Sequence, residues 1–342
     1  MQRDALRVFS RLALFGLPVL LSALLYFVFD PFKVLYAYDT YYQPDDRIML
    51  NRDYVSTAIF LQTNPARHYD SFVFGSSRSL AFQCLDWGPL VGSDRCFHYD
   101  AIGDTLFGIL GKVRLLDRQG VDIKNVLLIV DIDTLRETTN SRGHMQIKSP
   151  LVSGESPLQF QFVFFRAFYE NLFFVKYLDY RRSSILKPYM LDVLDSRTTT
   201  QVPETNDVLL TSPDEELARD EEAYYKARQA IFGGRKATPT HAPQQVVWTQ
   251  GRSMLEEIKG IFARHGTRYK VVSSPLYNQV KLHPNDLAAL KEVFGAENVY
   301  DFSGNNSITA DVHNYYELNH FRPKMARAIL AEIYRPVASQ SH

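Results

Sequence analysis

Polar and apolar positions change rhythm several times along the chain. From Leu12 to Phe29 they run LALFGLPVLLSALLYFVF, with no ionisable residue. That is about the length needed to cross a hydrocarbon core of ~30 Å with a few flanking residues. Lys33 to Arg67 is polar and aromatic, with a turn signal at Pro44-Asp45-Asp46, and reads as a connector with an irregular first helix. Then short apolar runs begin. Ser71 to Phe74 ends at Gly75, Cys96 to Tyr99 follows, and Val126 to Val130 is continuous and aliphatic. The last run predicts a strand buried on both faces, hence a parallel sheet covered by helices. Asp104 stands where it would cap a helix reaching about Asp117, before Gly120. After residue 242 the alternation resumes: helix Gln244 to Arg264, strand Tyr269 to Ser273, helix Pro284 to Phe294, strand Asn298 to Phe302, and a last helix over about Pro323 to Tyr334.

The pattern predicts an α/β fold, a doubly wound open parallel sheet of about five strands in a flavodoxin-like arrangement, preceded by one N-terminal transmembrane helix. Ligands of such sheets bind at the carboxyl ends of the strands. The domain boundaries read as 1–30 for a cytoplasmic tip and anchor, 31–68 for a connector, and 69–342 for the main domain. A helical insertion at about 138–242 interrupts it. Within the insertion, Phe160 to Tyr180 carries Arg166, Glu170 and Lys176 among its aromatics, which predicts an amphipathic helix packed on the core rather than a second span. Ser212-Pro213-Asp214-Glu215 reads as an N-cap with a capping-box acid, opening a solvated helix that Gly233-Gly234 ends.

Charge sets the orientation. Arg3, Arg7 and Arg11 precede the apolar run and Asp30 and Asp39 follow it, so the positive-inside bias keeps the N-terminus cytoplasmic and exports the rest. The expected location is the cell inner membrane, single-pass, with the main domain periplasmic or extracytoplasmic. A cleaved signal peptide is the competing reading, but no convincing small-x-small site precedes Tyr26, Phe27 and Phe29. Lys+Arg and Asp+Glu both number 38, so no basic excess speaks for nucleic acid. Cys84 and Cys96, the two cysteines of a chain placed in an oxidising compartment, are candidates for a disulfide worth ~2 to 3 kcal/mol in the chain-entropy model. Two unpaired small hydrophobes are the alternative. No His-Glu-x-x-His, Walker or dinucleotide glycine pattern occurs, so neither metal nor cofactor is expected.

The candidate chemistry lies at the two ends of the main domain. Strand Ser71 to Phe74 delivers Gly75-Ser76-Ser77-Arg78 at its carboxyl end, where a serine on a tight turn projects its hydroxyl away from the sheet. A serine hydroxyl needs a base, and the base needs a carboxylate to orient it. Glu317 and His320, three apart before the last helix, supply both groups.

These residues resemble the SGNH, or GDSL-like, hydrolase superfamily, particularly its membrane-anchored envelope branch associated with polysaccharide modification. The resemblance spans most of the exported domain. It implies Ser77 as nucleophile in the Gly75-Ser76-Ser77 block, and the amides of Ser77 and Gly103 as oxyanion donors. Glu317-Leu318-Asn319-His320 stands in the place of the family's Asp-x-x-His, with Glu for Asp. In the family an Asn side chain completes the oxyanion hole; here strand Val126 to Val130 is followed by Asp131, whose carboxylate would repel an oxyanion. Arg78 is a candidate anion contact. Asp311 and His313 form a second candidate acid and base pair, resembling the Asp-x-His of periplasmic alginate acetylation proteins, in which the pair precedes the serine.

The expected function is a serine esterase or O-acyltransferase acting on acyl esters of an envelope or extracellular polysaccharide. Its partners would be the membrane, the acylated glycan and a membrane acyl-donor protein. The alternative is a catalytically degenerate accessory protein of the same fold that binds glycan or a membrane acylation partner.

Overall fold

The computed structural model describes residues 17, 20–43, 47–235 and 242–335. Arg3, Arg7 and Arg11, much of the first half of the apolar run, and the Pro44-Asp45-Asp46 turn lie outside the described residues. The chain forms two compact units, one of Met1–Leu50 with Glu155–Ser196, the other of Asn51–Gly154 with Arg197–His342.

The larger unit is α/β. Its main sheet has five strands, β1 (Ser71–Phe74), β2 (Cys96–His98), β3 (Asn125–Val130), β4 (Arg268–Ser273) and β5 (Val299–Asp301), all parallel in the order β2-β1-β3-β4-β5, and Thr200–Gln201 pairs antiparallel with Val208–Leu209 apart from it. Phe72 of β1 lies in register with Phe97 on one side and Val126 on the other. All six residues of β3 are buried, as a central strand covered on both faces requires. On one face Val73, Leu127, Ile129 and Val272 pack with Trp87, Met325, Ile329 and Leu330. On the other, Phe72 meets Phe60 edge-on at 6.1 Å, and Phe74 stacks with Tyr99. The order reverses its sense between β1 and β3, which puts a crevice at their carboxyl ends.

Local expectations fail where tertiary contacts outweigh local ones. The connector holds a regular 16-residue helix, Arg52–Arg67, which Asn51 caps by accepting from the Tyr54 amide. Asp104 does not cap the helix Leu106–Arg118: Thr105 does, accepting from the Gly108 amide, while Asp104 turns inward to two lysines. The helix expected from Gln244 begins at Thr249, because the Asp286 carboxylate holds the Val246 and Val247 amides in extended chain. The Ser212 region opens a helix at Thr211 with no side-chain cap, and that helix stops at Arg219. A second helix, Glu221–Ala227, starts on Asp220 and buries Tyr224 and Tyr225, so this stretch is not a wholly solvated face. Cys84 and Cys96 are disulfide-bonded, tying the helix Cys84–Val91 to β2.

The smaller unit is helical. Helices over residues 20–29, Pro157–Tyr169 and Phe173–Ser183 pack through aromatic rings: Tyr26 against Phe165 and Phe168, and Phe32 against Phe164 and Phe173. The single helix expected over Phe160 to Tyr180 breaks at Asn171 and Leu172, both in the left-handed region. Among the described residues no helix is long and apolar enough to cross a membrane.

Candidate active site

The turn after β1 is built by close approach. A Cβ on Gly75 would lie 2.9 Å from both the Ile129 carbonyl oxygen and the Ser79 Cβ, so only glycine lets the chain double back here. Ser76 then caps the 3₁₀ turn Ser77–Ala81, accepting from the Arg78 amide, and Ser77 takes the first position of that turn.

Ser77 Oγ lies 2.9 Å from His320 Nε2, and Glu317 Oε1 binds His320 Nδ1. With the carboxylate accepting from Nδ1–H, Nε2 is left to accept the serine proton. The other Glu317 oxygen accepts from the Asn319 amide at 2.8 Å, which fixes the carboxylate in the loop. Burial pushes the Glu317 carboxyl up, but the bond to His320 and its charge outweigh that and hold it below its usual range. The His320 and Glu317 side chains are 16% and 28% exposed, so the relay is sheltered yet open to a ligand.

Residues 243 positions apart meet because two small structures are fastened together. Tyr315 and Phe321 form a β-bridge, and Tyr316 N donates to His320 O, closing a loop around Glu317 and His320. The insertion holds that loop from outside: Tyr225 and Tyr224 donate their hydroxyls to the carbonyls of Tyr315 and Tyr316. From inside, Phe321 packs edge-on against Phe82, which follows the Ser77 turn, at 5.8 Å. A cleft of only about 10 Å³ runs beside Ser77 and His320 between Leu80, Leu209, Leu210 and Phe321. It has room for about one water molecule.

The other candidates fall into place around this relay. Gly103 sits in the left-handed region at φ 55° in the loop after β2, with the Gln146 side chain against it. Asp131 is not the bare carboxylate that the sequence presents. Arg78 Nη1 pairs with its Oδ2 at 2.7 Å, and its Oδ1 accepts from the Asp133 and Thr134 amides at 2.9 Å. Arg78 also reaches Asp133 at 3.3 Å, so its charge is engaged by carboxylates rather than held ready for a substrate anion. Asp311 and His313 bind each other at 2.9 Å, but both are half exposed; Arg322 takes the His313 carbonyl and Tyr225 packs on its ring. They form a separate surface pair. A second cleft, of about 340 Å³, carries Arg78, Asp133, Arg136, Gln244 and Asn278.

A buried network under the turn has no counterpart in the sequence reading. Ser79 Oγ lies 2.9 Å from His98 Nε2, and His98 Nδ1 lies 2.8 Å from Asp207 Oδ1, with all three side chains buried. Asp207 also accepts from the Cys84 amide, at 3.1 and 3.0 Å. This serine, histidine and aspartate are sealed from solvent, so they brace the turn from below rather than meet a substrate. No periodicity announces Asp207, which lies 109 residues from His98 in an irregular insertion. No family model, curated protein or solved structure matches this chain.

Proposed function

We propose that the chain is a membrane-anchored serine O-acyl esterase or O-acyltransferase of the SGNH type, acting on acyl esters of an envelope or extracellular polysaccharide. The observation that carries this reading is the relay from Ser77 Oγ through His320 to Glu317. In the proposed reaction His320 Nε2 takes the Ser77 proton as Oγ adds to the acyl carbonyl. The amides of Ser77 and Gly103 receive the developing oxyanion. Collapse breaks the bond to the leaving alcohol, which takes the proton from His320 and leaves an acyl-serine. A water or a glycan hydroxyl, deprotonated by His320, then attacks that ester and releases Ser77.

Three observations support the choice of substrate class. The relay stands at the β1/β3 crevice, where open α/β sheets bind ligands. The cleft beside Ser77 is lined mostly by apolar side chains, Leu80, Leu209, Leu210 and Phe321 among them, which favours an acyl group over a sugar. The neighbouring cleft offers the guanidinium and amide groups that hydrogen-bond sugar hydroxyls. The Cys84–Cys96 disulfide and the apolar run Leu12 to Phe29 suit an exported domain held at the membrane.

The test is single-turnover formation of an acyl-enzyme by the full-length chain in detergent, using small acyl esters of a chromogenic alcohol. A burst of one alcohol per chain that disappears in Ser77→Ala and His320→Ala is expected. Absence of acylation across esters of two to eight carbons would sink the catalytic reading. It would favour the second one, an accessory protein that holds glycan without turnover. That second reading is favoured by Asp131, which occupies the place of the oxyanion-binding Asn of SGNH enzymes.

A further inference from the structure

We propose that Trp248 is a stacking platform for a sugar ring, and that it extends the cleft beside Arg78 into a binding site for a glycan chain. The inference rests on the polysaccharide reading, which it deepens by giving the glycan a place to lie, but not on turnover at Ser77.

The chain carries two tryptophans, and they stand in opposite surroundings. Trp87 is fully buried and donates its indole N–H to the Tyr334 hydroxyl at 2.8 Å. Trp248 is 64% exposed. An exposed aromatic on a loose segment would mean little. This one is clamped. The buried Asp286 carboxylate accepts from the Val246 amide at 3.0 Å and from the Val247 amide at 2.8 Å. Gln245 Nε2 donates to the Val247 carbonyl at 2.7 Å. The Trp248 carbonyl accepts from the Arg252 amide at 2.8 Å, at the start of the helix Thr249–His265. The exposed ring therefore hangs from fixed backbone, and a ligand that meets it has little chain to order.

The same strip builds part of the cleft. Gln244 and Val246 line it. Val247 is buried and turns the other way, its Cγ1 beside Gly251 of the following helix. Alternation puts Trp248 on the side of Gln244 and Val246. The remaining polar groups come from the segments that follow β1, β3 and β4: Arg78, then Asp133 and Arg136, then Asn278. That is the carboxyl edge of the sheet, and Arg78 directly follows Ser77, so the cleft starts beside the nucleophile. It holds about 340 Å³, against about 10 Å³ beside Ser77, and falls within the range of small-ligand sites.

A pyranose ring has hydroxyls around its rim and C–H groups on its faces. Each hydroxyl is both donor and acceptor. In the cleft Arg78 and Arg136 carry donors, Asp133 carries acceptors, and Gln244 and Asn278 carry both. The indole of Trp248 supplies the flat apolar surface that the C–H face matches. An acyl chain would satisfy the indole and leave the polar groups of the cleft unpaired. A small anion would satisfy the guanidinium groups, meet the Asp133 carboxylate and leave the indole bare. A sugar satisfies both surfaces at once.

The test uses the full-length chain carrying Ser77→Ala, in octaethylene glycol dodecyl ether so that no detergent sugar competes. It is titrated with hexasaccharides of glucose, mannose, galactose, xylose and N-acetylglucosamine, and followed by tryptophan fluorescence and calorimetry. At least one hexasaccharide is expected to bind saturably and to shield the exposed indole from acrylamide, while the buried Trp87 stays unquenched throughout. Affinity should fall about tenfold in Trp248→Ala and about threefold in Gln244→Ala. Trp248→Phe, which keeps a flat ring, should lose less than Trp248→Leu, which keeps only apolar bulk. No saturable binding by any of the five, an affinity unchanged in Trp248→Ala, or an indole still quenched in the saturated complex would overturn the proposal. Trp248→Leu as tight as Trp248→Phe would also overturn it, since stacking would then add nothing. Glycan binding without an acyl-enzyme in the parent leaves this site standing and selects the accessory reading. An acyl-enzyme without glycan binding leaves the Ser77 relay standing and removes this site.

Discussion

His320 Nε2 lies 2.9 Å from the Ser77 hydroxyl oxygen across 243 residues of sequence, and its other ring nitrogen is held by Glu317. A base so oriented should be indispensable to any acyl transfer at Ser77. Ser77→Ala and His320→Ala are each expected to lower kcat by ~10⁴-fold or more, and Glu317→Gln by a smaller factor of ~10² to 10⁴. Glu317→Asp should recover part of the loss, since the charge returns one methylene short. Stopped-flow release of the leaving alcohol checks all four; a Glu317→Gln enzyme as fast as the parent would remove the carboxylate from the mechanism.

Arg78 and Asp131 make a separable prediction. The ion pair at 2.7 Å, with Asp131 2% exposed, cancels a carboxylate that would oppose an oxyanion near Ser77. Arg78→Ala leaves that charge uncompensated and should reduce kcat by ~10²-fold. Removing the charge as well, in Arg78→Ala/Asp131→Asn, should restore most of the rate, because an Asn oxygen can still take the Asp133 and Thr134 amides. The measurement is a double-mutant cycle on kcat among variants of matched folded fraction. A double variant as slow as Arg78→Ala would show that Arg78 acts otherwise.

The buried Ser79, His98 and Asp207 make a chemical look-alike of the exposed relay, and accessibility tells them apart. A fluorophosphonate that labels the active serine should be found on Ser77 by peptide mass spectrometry, with no adduct at Ser79, which is fully buried. Asp207→Ala strands His98, the Thr205 hydroxyl and the Cys84 amide and should cost ~3 to 5 kcal/mol. Urea midpoints check this. An adduct on Ser79 would reverse the assignment of the two networks.

The two networks also mark the limit of what sequence carries. Val126 to Val130 announces a central strand because five aliphatic residues in a row suit only burial on both faces. Gly75 to Ser77 and Glu317 to His320 are readable because each is a local cluster beside a predicted element. Asp207 is not readable: its bonds to β2 and to the Cys84 amide span more than 100 residues and repeat nowhere. Asp104 misleads for the same reason, since an aspartate before a helix has the appearance of a cap until Lys148, 44 positions on in the sequence, draws it inward. The break at Asn171 and Leu172 is half legible, because Asn accepts the left-handed region and Leu does not favour it.

Asp104 carries the prediction about acid. Its carboxylate lies 2.7 Å from Lys112 Nζ and 2.9 Å from Lys148 Nζ, with all three side chains sealed from solvent. Burial pushes the carboxyl up, but the two lysines outweigh it and hold it below the usual carboxylate range. A folded-state value below the unfolded one means that the unfolded chain binds the proton more readily as pH falls. The contribution is therefore present above ~pH 4 and is lost as pH drops through the depressed value. Asp104→Asn deletes it at every pH and leaves two buried ammonium groups short of a counter-charge, at a cost of ~3 to 5 kcal/mol at neutral pH. Thermal unfolding of parent and variant from pH 7 to pH 3 should show a wide gap at pH 7 that narrows below about pH 4. A gap that stays constant or widens in acid would mean that Asp104 does not set the acid limb.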